Sequence, residues 1–335
     1  MQELISALRS SPQLAHKEKL RNLWHLLPRV SEVDGNEVIL GDDAAAIKTQ
    51  NGYLLLAAEG VYPPLLRSNP YLAGRTSVLA NVNDIYAMGG RPLAVVDVIF
   101  GSHFEEVDQV LRGIMDNSTR YRVPLVGGHL TSEAGFSSVS VFILGRAVKL
   151  LSSFDAAVDD DLVFISNLNG KFYSGFNFWD SSSSLSDEEA LGQLELLPLI
   201  AEDGLADAAK DISMAGLIGS ILMFLEGSGK GAEIYIDRIP RPFEIPLKQW
   251  FLSFPSFGFI LSLKPFNTPK LKKRFEKLDL VCKRIGKVTL GHRVFFVNDN
   301  GKKELFWDLS IRPFIGLNKL NSKKVSNGRS KKSDR

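Results

Sequence analysis

The amino-acid sequence predicts a two-domain protein of the α+β class, and three observations support this prediction. The chain has 335 residues, 44% of them hydrophobic, which is enough material to bury the cores of about two domains. Short apolar runs alternate with helix-like periodicity over residues 37–144. A second series of the same kind begins at residue 162, so we expect each half to combine strands and helices.

Local patterns place the elements of both halves. After an amphipathic helical segment that reaches about residue 27, the first half is predicted to contain strands at 37–41 and 53–59, a helix at 75–88, a strand at 93–100, a helix at 104–121, and strands at 123–126 and 138–144. The second half is predicted to contain a strand at 162–166, a helix at 213–226, strands at 232–236 and 257–263, and a helix at 270–281. Two α/β halves result.

The segment 169–189 interrupts the second half. It contains four consecutive serines at 181–184, followed by three acidic residues at 187–189. This polar, turn-rich composition predicts a mobile surface loop, and a long loop of this kind is also a candidate for an active-site lid.

Polar side chains mark the helix predicted at 75–88. Val78, Val82 and Ile85 recur at helical spacing and should face a core, whereas Asn81 and Asp84 lie one turn apart on a neighbouring face. Such residues on an amphipathic helix are commonly solvated, so a plain surface position is the alternative to a binding role.

Acidic residues also stand at the ends of two predicted strands. Gly41, Asp42 and Asp43 follow the apolar run 38–40, and Glu59 ends the next strand. Magnesium prefers oxygen ligands and commonly binds through a few carboxylates together with substrate phosphates. Together with Asp84, these residues therefore indicate a metal-nucleotide site.

An ordered series of motifs then identifies a family. The series comprises GDDAA from residue 41, the sequence Glu-Gly-Val from residue 59, NVNDIYAMGGRP from residue 81, VPLVGGH from residue 123, KDISMAGL from residue 210, GKGAEI from residue 229 and IGKV from residue 285. Over residues 37–290 it resembles the aminoimidazole ribonucleotide (AIR) synthetase superfamily. Other members of this superfamily are thiamine-monophosphate kinase, selenophosphate synthetase and the hydrogenase-maturation dehydratase.

This resemblance implies a two-domain PurM-like fold. Its first domain would be an α/β sheet domain that binds ATP and pairs with a second copy of the chain, and its second would be another α/β domain. We place a helical extension at 1–35, the two domains at 36–150 and 151–315, and a disordered basic tail at 316–335. A homodimer is accordingly expected.

The resemblance also implies that the protein uses ATP and Mg²⁺, and it assigns roles to residues. The expected metal ligands are Asp42, Asp43, Glu59, Asp84 and Asp211. The expected nucleotide-binding residues are Gly41, Asn81, Asn83, Gly127, Gly128 and Glu133. The expected catalytic residues are Asp84 and His129. For Asp211, capping of the helix predicted from residue 213 is an equally good explanation.

Three departures from the family pattern bear on the activity. The kinase-like relatives have an aspartate where this chain has His129. Met214 replaces the second acid of the D-I-S-D-G-L motif, and a thioether is a poor ligand for Mg²⁺. The segment 254–259 reads FPSFGF instead of an acidic element. These changes weaken an assignment as thiamine-monophosphate kinase and favour an AIR-synthase-related branch.

We therefore predict a Mg²⁺-dependent enzyme that uses ATP to phosphorylate or activate a small molecule. Thiamine-monophosphate kinase is the alternative within the family. A catalytically inactive nucleotide-binding scaffold or regulator is the alternative from another class.

Composition narrows the partners and the compartment. The single cysteine, Cys282, excludes an intramolecular disulfide and a cysteine metal cluster, as expected in a reducing compartment. We find no secretory signal and no apolar stretch long enough for a bilayer. Residues 318–335 hold seven basic residues and one acidic residue, but no aromatic pattern typical of nucleic-acid binding accompanies them. A cytoplasmic protein with a small-molecule substrate, and with no membrane or nucleic-acid partner, is expected.

Overall fold

The computed structural model describes residues 1–23, 26 and 32–317. The elements up to residue 147 are α1 (Gln2–Arg9), α2 (Pro12–Glu18), β1 (Glu32–Val33), β2 (Asn36–Ile39), β3 (Ala45–Thr49), β4 (Gly52–Gly60), α3 (Pro63–Ser68), α4 (Pro70–Ala87), β5 (Arg91–Phe100), α5 (Phe104–Arg120), β6 (Leu125–Thr131) and β7 (Ser138–Ala147). The later elements are β8 (Asp161–Ser166), β9 (Lys171–Phe172), β10 (Phe178–Asp180), α6 (Asp187–Leu194), α7 (Leu196–Glu202), β11 (Ala208–Asp211), α8 (Gly216–Ser228), β12 (Gly231–Tyr235), α9 (Leu247–Phe251), β13 (Phe254–Pro255), β14 (Gly258–Leu263), α10 (Thr268–Glu276), β15 (Val281–Thr289), β16 (Arg293–Val297) and β17 (Lys303–Asp308).

The first domain is a seven-stranded sheet in the order β1-β2-β3-β4-β7-β5-β6, with β6 at one edge. Its neighbouring strands are antiparallel except for β5 and β6, which run parallel. Helices α4 and α5 cover one face, which we call the covered face, and Leu55, Val95 and Val141 bury their side chains there. We call the other side of this sheet the open face.

Helix α4 is the central element of the molecule. The Asn69 side chain caps it by accepting a hydrogen bond from the Leu72 N–H at 2.9 Å, and Pro70 follows at the first helical position. The helix ends before Gly89, whose φ of +72° favours glycine. Because α4 packs against both the first sheet and β11 of the second domain, Asn81 and Asp84 are buried. The alternative that placed them on a solvated surface is wrong.

The second domain contains a seven-stranded sheet in the order β11-β14-β8-β15-β12-β16-β17. Alternate residues of β8 enter two different cores: Leu162 and Phe164 pack with α8, whereas Val163 and Ile165 face the core that also includes α10. The strand is therefore buried on both faces, which explains its continuous apolar sequence. Helices α1 and α2 pack on this domain, so these two helices of the predicted N-terminal extension belong structurally to the second half, whereas β1 pairs with β2 of the first sheet.

Several predicted boundaries need correction. The helix predicted at 213–226 begins at Gly216, and Asp211 ends β11, so the explanation of Asp211 as a helix cap is wrong. The helix predicted at 270–281 ends at Glu276, and Val281 begins β15. The strand predicted at 123–126 instead covers Leu125–Thr131, which places the glycine pair inside the strand and not after it.

The segment predicted as a mobile loop at 169–189 is built into the second domain. Its two short strands, β9 and β10, form a small sheet with β13, and α6 begins at its end. Trp179 of β10 is buried and packs edge to face against Trp250. The physical reason is that the aromatic residues among the polar ones bury against the domain.

The chain ends are partly described. Residues 24, 25 and 27 of the predicted N-terminal helix lie outside the described residues, as do residues 318–335 of the predicted disordered tail. The first two tail residues are packed, because the Gly316 N–H donates to the buried Glu226 carboxylate and Leu317 is buried. Among the described residues, no helix has both the length and the apolar character needed to cross a membrane.

Candidate active site between the two domains

Three carboxylates from separate parts of the chain converge where the domains meet. Asp43 precedes β3, Asp84 lies on α4, and Asp211 ends β11. One oxygen atom from each lies within 4.8 Å of the others. We call these three residues the acid cluster. They meet because β11, the edge strand of the second sheet, packs directly against α4.

Two of these carboxylates are tied together by Lys210. Its buried ammonium group donates a hydrogen bond to Asp43 and lies 3.7 Å from Oδ1 of Asp211. The other oxygen of Asp43 accepts a hydrogen bond from the Asp211 backbone N–H at 3.0 Å. Asp43 is therefore fixed to the second domain through both of its oxygens.

Asp84 is the least satisfied member of the cluster. Its Oδ2 atom is buried and has no hydrogen-bond partner among the described residues. Burial, and next the charge of Asp211, raise the pKa of Asp84 well above its usual value. Burial, followed by the charge of Asp43, raises the pKa of Asp211 to about 8. Crowded carboxylates with an unpaired oxygen suit a divalent cation, so the residues present fit Mg²⁺.

Asp42 is arranged differently from its neighbour. One of its oxygens accepts from the Asp43 N–H at 3.0 Å, and the other accepts from the Ser152 hydroxyl at 2.8 Å and the Ser153 N–H at 2.9 Å. Burial, then Asp43, raises its pKa to about 6. Gly41, with φ of +93°, makes the turn that presents both aspartates. Asp42 anchors this turn to the segment that leads into the second domain, and its role as a metal ligand stays a prediction.

The acid cluster opens into a cleft between the two domains. Glu59, Asp84 and Asp211 form its acidic end. Five aromatic side chains from both domains also line it: Tyr62, Tyr173, Phe176, Phe178 and Phe254. Tyr62 meets Phe176 edge to face with ring centroids 6.4 Å apart, and Phe178 lies 5.8 Å from Phe254. A small molecule with one polar end and one ring-bearing end matches this lining.

The two asparagines of α4 contact the protein around the cleft. The Asn81 amide donates to the carbonyl of Val141 at 3.0 Å and so ties α4 to the sheet. The Asn83 amide donates to the Ser256 carbonyl at 3.1 Å and ties α4 to the second domain. The side-chain carbonyl oxygens of both are buried and have no partner among the described residues. Their predicted contacts with a nucleotide stay predictions.

The glycine-histidine motif lies elsewhere, at the exposed edge of the first sheet. On β6, Gly127 and His129 pair with residues on the open-face side of β5, whereas Gly128 pairs with Asp97 on the covered face. His129 is exposed and contacts Thr131 Oγ1 at 3.2 Å. Glu133 is exposed in the turn that follows. Within one chain, the structure does not bring His129 or Glu133 to the acid cluster.

Several residues of the site were missed by sequence reasoning. Lys210 stands first in the motif KDISMAGL, but the resemblance gave it no role, and Tyr173, Phe176 and Phe178 come from the segment predicted as a loop. Outside this site, Asp97 of β5 is buried beside Gly128, and its Oδ2 has no partner among the described residues. An acid in the middle of an apolar strand was the available signal, because such a residue is rarely buried without a role.

The family of the protein follows from comparison with known sequences. Residues 41–147 match the AIR synthase related protein, N-terminal domain, and residues 165–298 match the AIR synthase related protein, C-terminal domain. These matches span more than half of the chain, so the protein belongs to the AIR synthase related family and has its two-domain PurM-like fold. The resemblance and the fold class predicted from the sequence are confirmed.

Individual relatives are similar over most of this chain. It is 41% identical over 316 residues to the uncharacterized protein sll0787 of Synechocystis sp., covering 94% of this chain and 98% of that protein. Two solved structures share the fold. The Thermotoga maritima PurL complexed with ATP has a TM-score of 0.68 at 19% identity, over 89% of this chain and 49% of PurL. The Aquifex aeolicus thiamine-monophosphate kinase complexed with AMPPCP and TMP has a TM-score of 0.60 at 21% identity, over 79% of this chain and 89% of the kinase. This chain spans about half the length of PurL.

Proposed function

We propose that this protein is a Mg²⁺-dependent enzyme that uses ATP to phosphorylate or activate a small molecule. The observation that carries the proposal is the acid cluster, in which both domains place carboxylates at the end of one cleft. Relatives of the same fold have been solved with ATP and with AMPPCP, which supports the choice of nucleotide. The buried, unpaired oxygen of Asp84 supports the choice of a divalent cation.

The charged residues at the acidic end of the cleft would have different roles. Asp84 and Asp211 would hold Mg²⁺ from opposite domains, and Lys210 and the Asp211 amide fix Asp43 beside them. Bound Mg²⁺ would neutralise the phosphate oxygens and orient the phosphoryl group for transfer. Because the carboxylates lie on two domains, binding of the metal would also hold the domains in the arrangement that encloses the substrate.

The second substrate would occupy the cleft beside the nucleotide. Five aromatic side chains line the cleft, so we propose that this substrate carries a planar ring. Its reacting oxygen or other nucleophile would face the acidic end. Thiamine monophosphate is the first compound to test, although the departures at His129 and Met214 favour another substrate of this kind.

We also propose that the protein is a homodimer. The open face of the first sheet carries exposed apolar side chains that the strand register makes neighbours, namely Leu54, Leu56, Val96, Phe142 and Leu144. A patch of this kind on a sheet is typical of a surface that pairs with another protein. A second copy is the occupant we expect, and a change at Leu56 described in the Discussion tests it.

Calorimetric titration of ATP, with and without Mg²⁺, tests the nucleotide site. The unaltered protein should bind ATP only with Mg²⁺, and Asp84→Asn should weaken binding by about 10- to 100-fold, because it removes the charge and keeps the shape. Asp203→Asn is the matched control, since Asp203 is half-exposed and pairs with Arg274 away from the cleft. Absence of ATP binding to the unaltered protein would contradict the proposal.

Release of ADP then separates an enzyme from a scaffold. With a set of ring-bearing acceptors, including thiamine monophosphate, an enzyme should release ADP only when its acceptor is present. Tight ATP binding with no ADP released by any acceptor would favour the inactive nucleotide-binding scaffold. ADP release that needs thiamine monophosphate would instead establish the kinase alternative.

A further inference from the structure

We propose that Lys210 is a built-in cation of the acid cluster, so that the three aspartates hold one divalent metal ion in the absence of nucleotide and not two. This inference rests on the proposed function, because it concerns the metal that would accompany ATP. It goes further by assigning a role to Lys210, to which the family resemblance gave none, and by stating the number of ions that the acid cluster can bind.

The contacts of Lys210 place its charge inside the cluster. Its side chain is 11% exposed, its ammonium group donates to Asp43, and Oδ1 of Asp211 lies 3.7 Å away. The ammonium group thus lies between two carboxylates of the acid cluster, on the side of Asp43.

The remaining coordination space lies on the other side of the cluster. Both oxygens of Asp43 are already engaged, one by Lys210 and the other by the Asp211 amide. Asp84 keeps a buried oxygen with no partner among the described residues. This unpaired oxygen is available to coordinate a cation, and it points to a single ion held between Asp84 and Asp211.

One carboxylate of the acid cluster, Asp211, comes from the second domain. Met214 also lines the cleft where the family motif has a second acid, so the second domain offers no further carboxylate at that position.

The test is to count Mn²⁺ ions bound per chain by equilibrium dialysis, using the intact protein without nucleotide. The unaltered protein should bind one ion, and Lys210→Met should bind two, because loss of the ammonium frees Asp43 for a second metal. Lys264→Met is the matched control: Lys264 pairs with the buried Asp160 at 2.7 Å but lies outside the cleft. This control should keep one ion.

A second variant keeps the test decisive if Lys210→Met does not fold. Lys210→Arg keeps the positive charge and should bind one ion. Two ions on the unaltered protein or on Lys210→Arg would overturn the inference, as would no more than one ion on a folded Lys210→Met. If the unaltered protein binds no Mn²⁺ but binds ATP with Mg²⁺, the inference fails and the proposed function stands. If it binds one Mn²⁺ but no ATP, the proposed function fails and the inference about the metal stands.

Discussion

The two faces of the first sheet have the same apolar alternation but very different surroundings. On β4, Leu55 is completely buried on the covered face, whereas the adjacent Leu56 is 51% exposed on the open face. The covered face receives α4 and, through it, β11 of the second domain. The acid cluster lies at the end of this covered layer.

This difference between the two faces explains why some predicted site residues come together and others do not. Residues on the covered face meet partners from the same chain, and this is how Asp84 comes to lie beside Asp43 and Asp211. Residues on the open face, including His129, meet no such layer among the described residues, because alternate residues of a strand point to opposite sides. The motif that contains Asp84 and the motif that contains His129 were both predicted to belong to the site. The first contributes to the acid cluster, whereas the second leaves His129 as an exposed side chain.

The largest expected effect is the weakening of the proposed dimer by a change on the open face. Leu56→Glu places a charge at the centre of the apolar patch, so it should weaken a dimer about 30-fold or more, equivalent to about 2 kcal/mol. Light scattering after size-exclusion chromatography measures the change in mass. Leu290→Glu is the control, since Leu290 is 84% exposed and lies outside the patch. A monomeric unaltered protein would show that the open face has another role.

Replacing two neighbouring glycines of β6 by alanine should affect stability differently, because the glycines face opposite sides of the sheet. A Cβ atom on Gly128 would collide with the Asp97 side chain and backbone, whereas one on Gly127 would meet nothing within 4 Å. Gly128→Ala should therefore destabilise the protein by about 1–3 kcal/mol. Gly127→Ala should stay within about 0.5 kcal/mol of the unaltered protein. Chemical denaturation measures both, and equal losses would contradict the assignment of the faces.

A pH dependence of stability is also expected at the covered face. The pKa of Asp211 rises from 3.8 to about 8 on folding, so between these values the folded state holds a proton that the unfolded state has released. Without metal, the stability of the unaltered protein relative to Asp211→Asn should therefore fall as pH rises from about 4 to about 8. Lys210 beside this carboxylate limits the size of the fall.

Thermal unfolding of both proteins across this pH range, without metal, measures the difference. Added Mg²⁺ at pH 8 should restore stability to the unaltered protein more than to Asp211→Asn, because the ion binds the ionised carboxylates. A relative stability that rises with pH would show that Asp211 is ionised throughout in the metal-free protein.

Much of the fold was predictable because it depends on local patterns. The strand and helix order of the first domain follows from apolar periodicity, and the ordered motifs identified the family correctly. Errors arose where local composition and tertiary packing disagree. The polar serines at 181–184 predict a loop, but the neighbouring Phe178 and Trp179 pack into the hydrophobic cores, and Phe178 also lines the cleft.

The sequence by itself determined the class of fold, the family and the aspartates of the candidate site. Each of these can be predicted from the spacing and the type of the residues. Only the tertiary structure decided which of them meet. It joined Asp43, Asp84 and Asp211 through the contact of β11 with α4, placed Lys210 among them, and left His129 on the open face. The physical reason is that a cluster of charges depends on how distant elements pack, and neighbouring residues along a chain do not specify that packing.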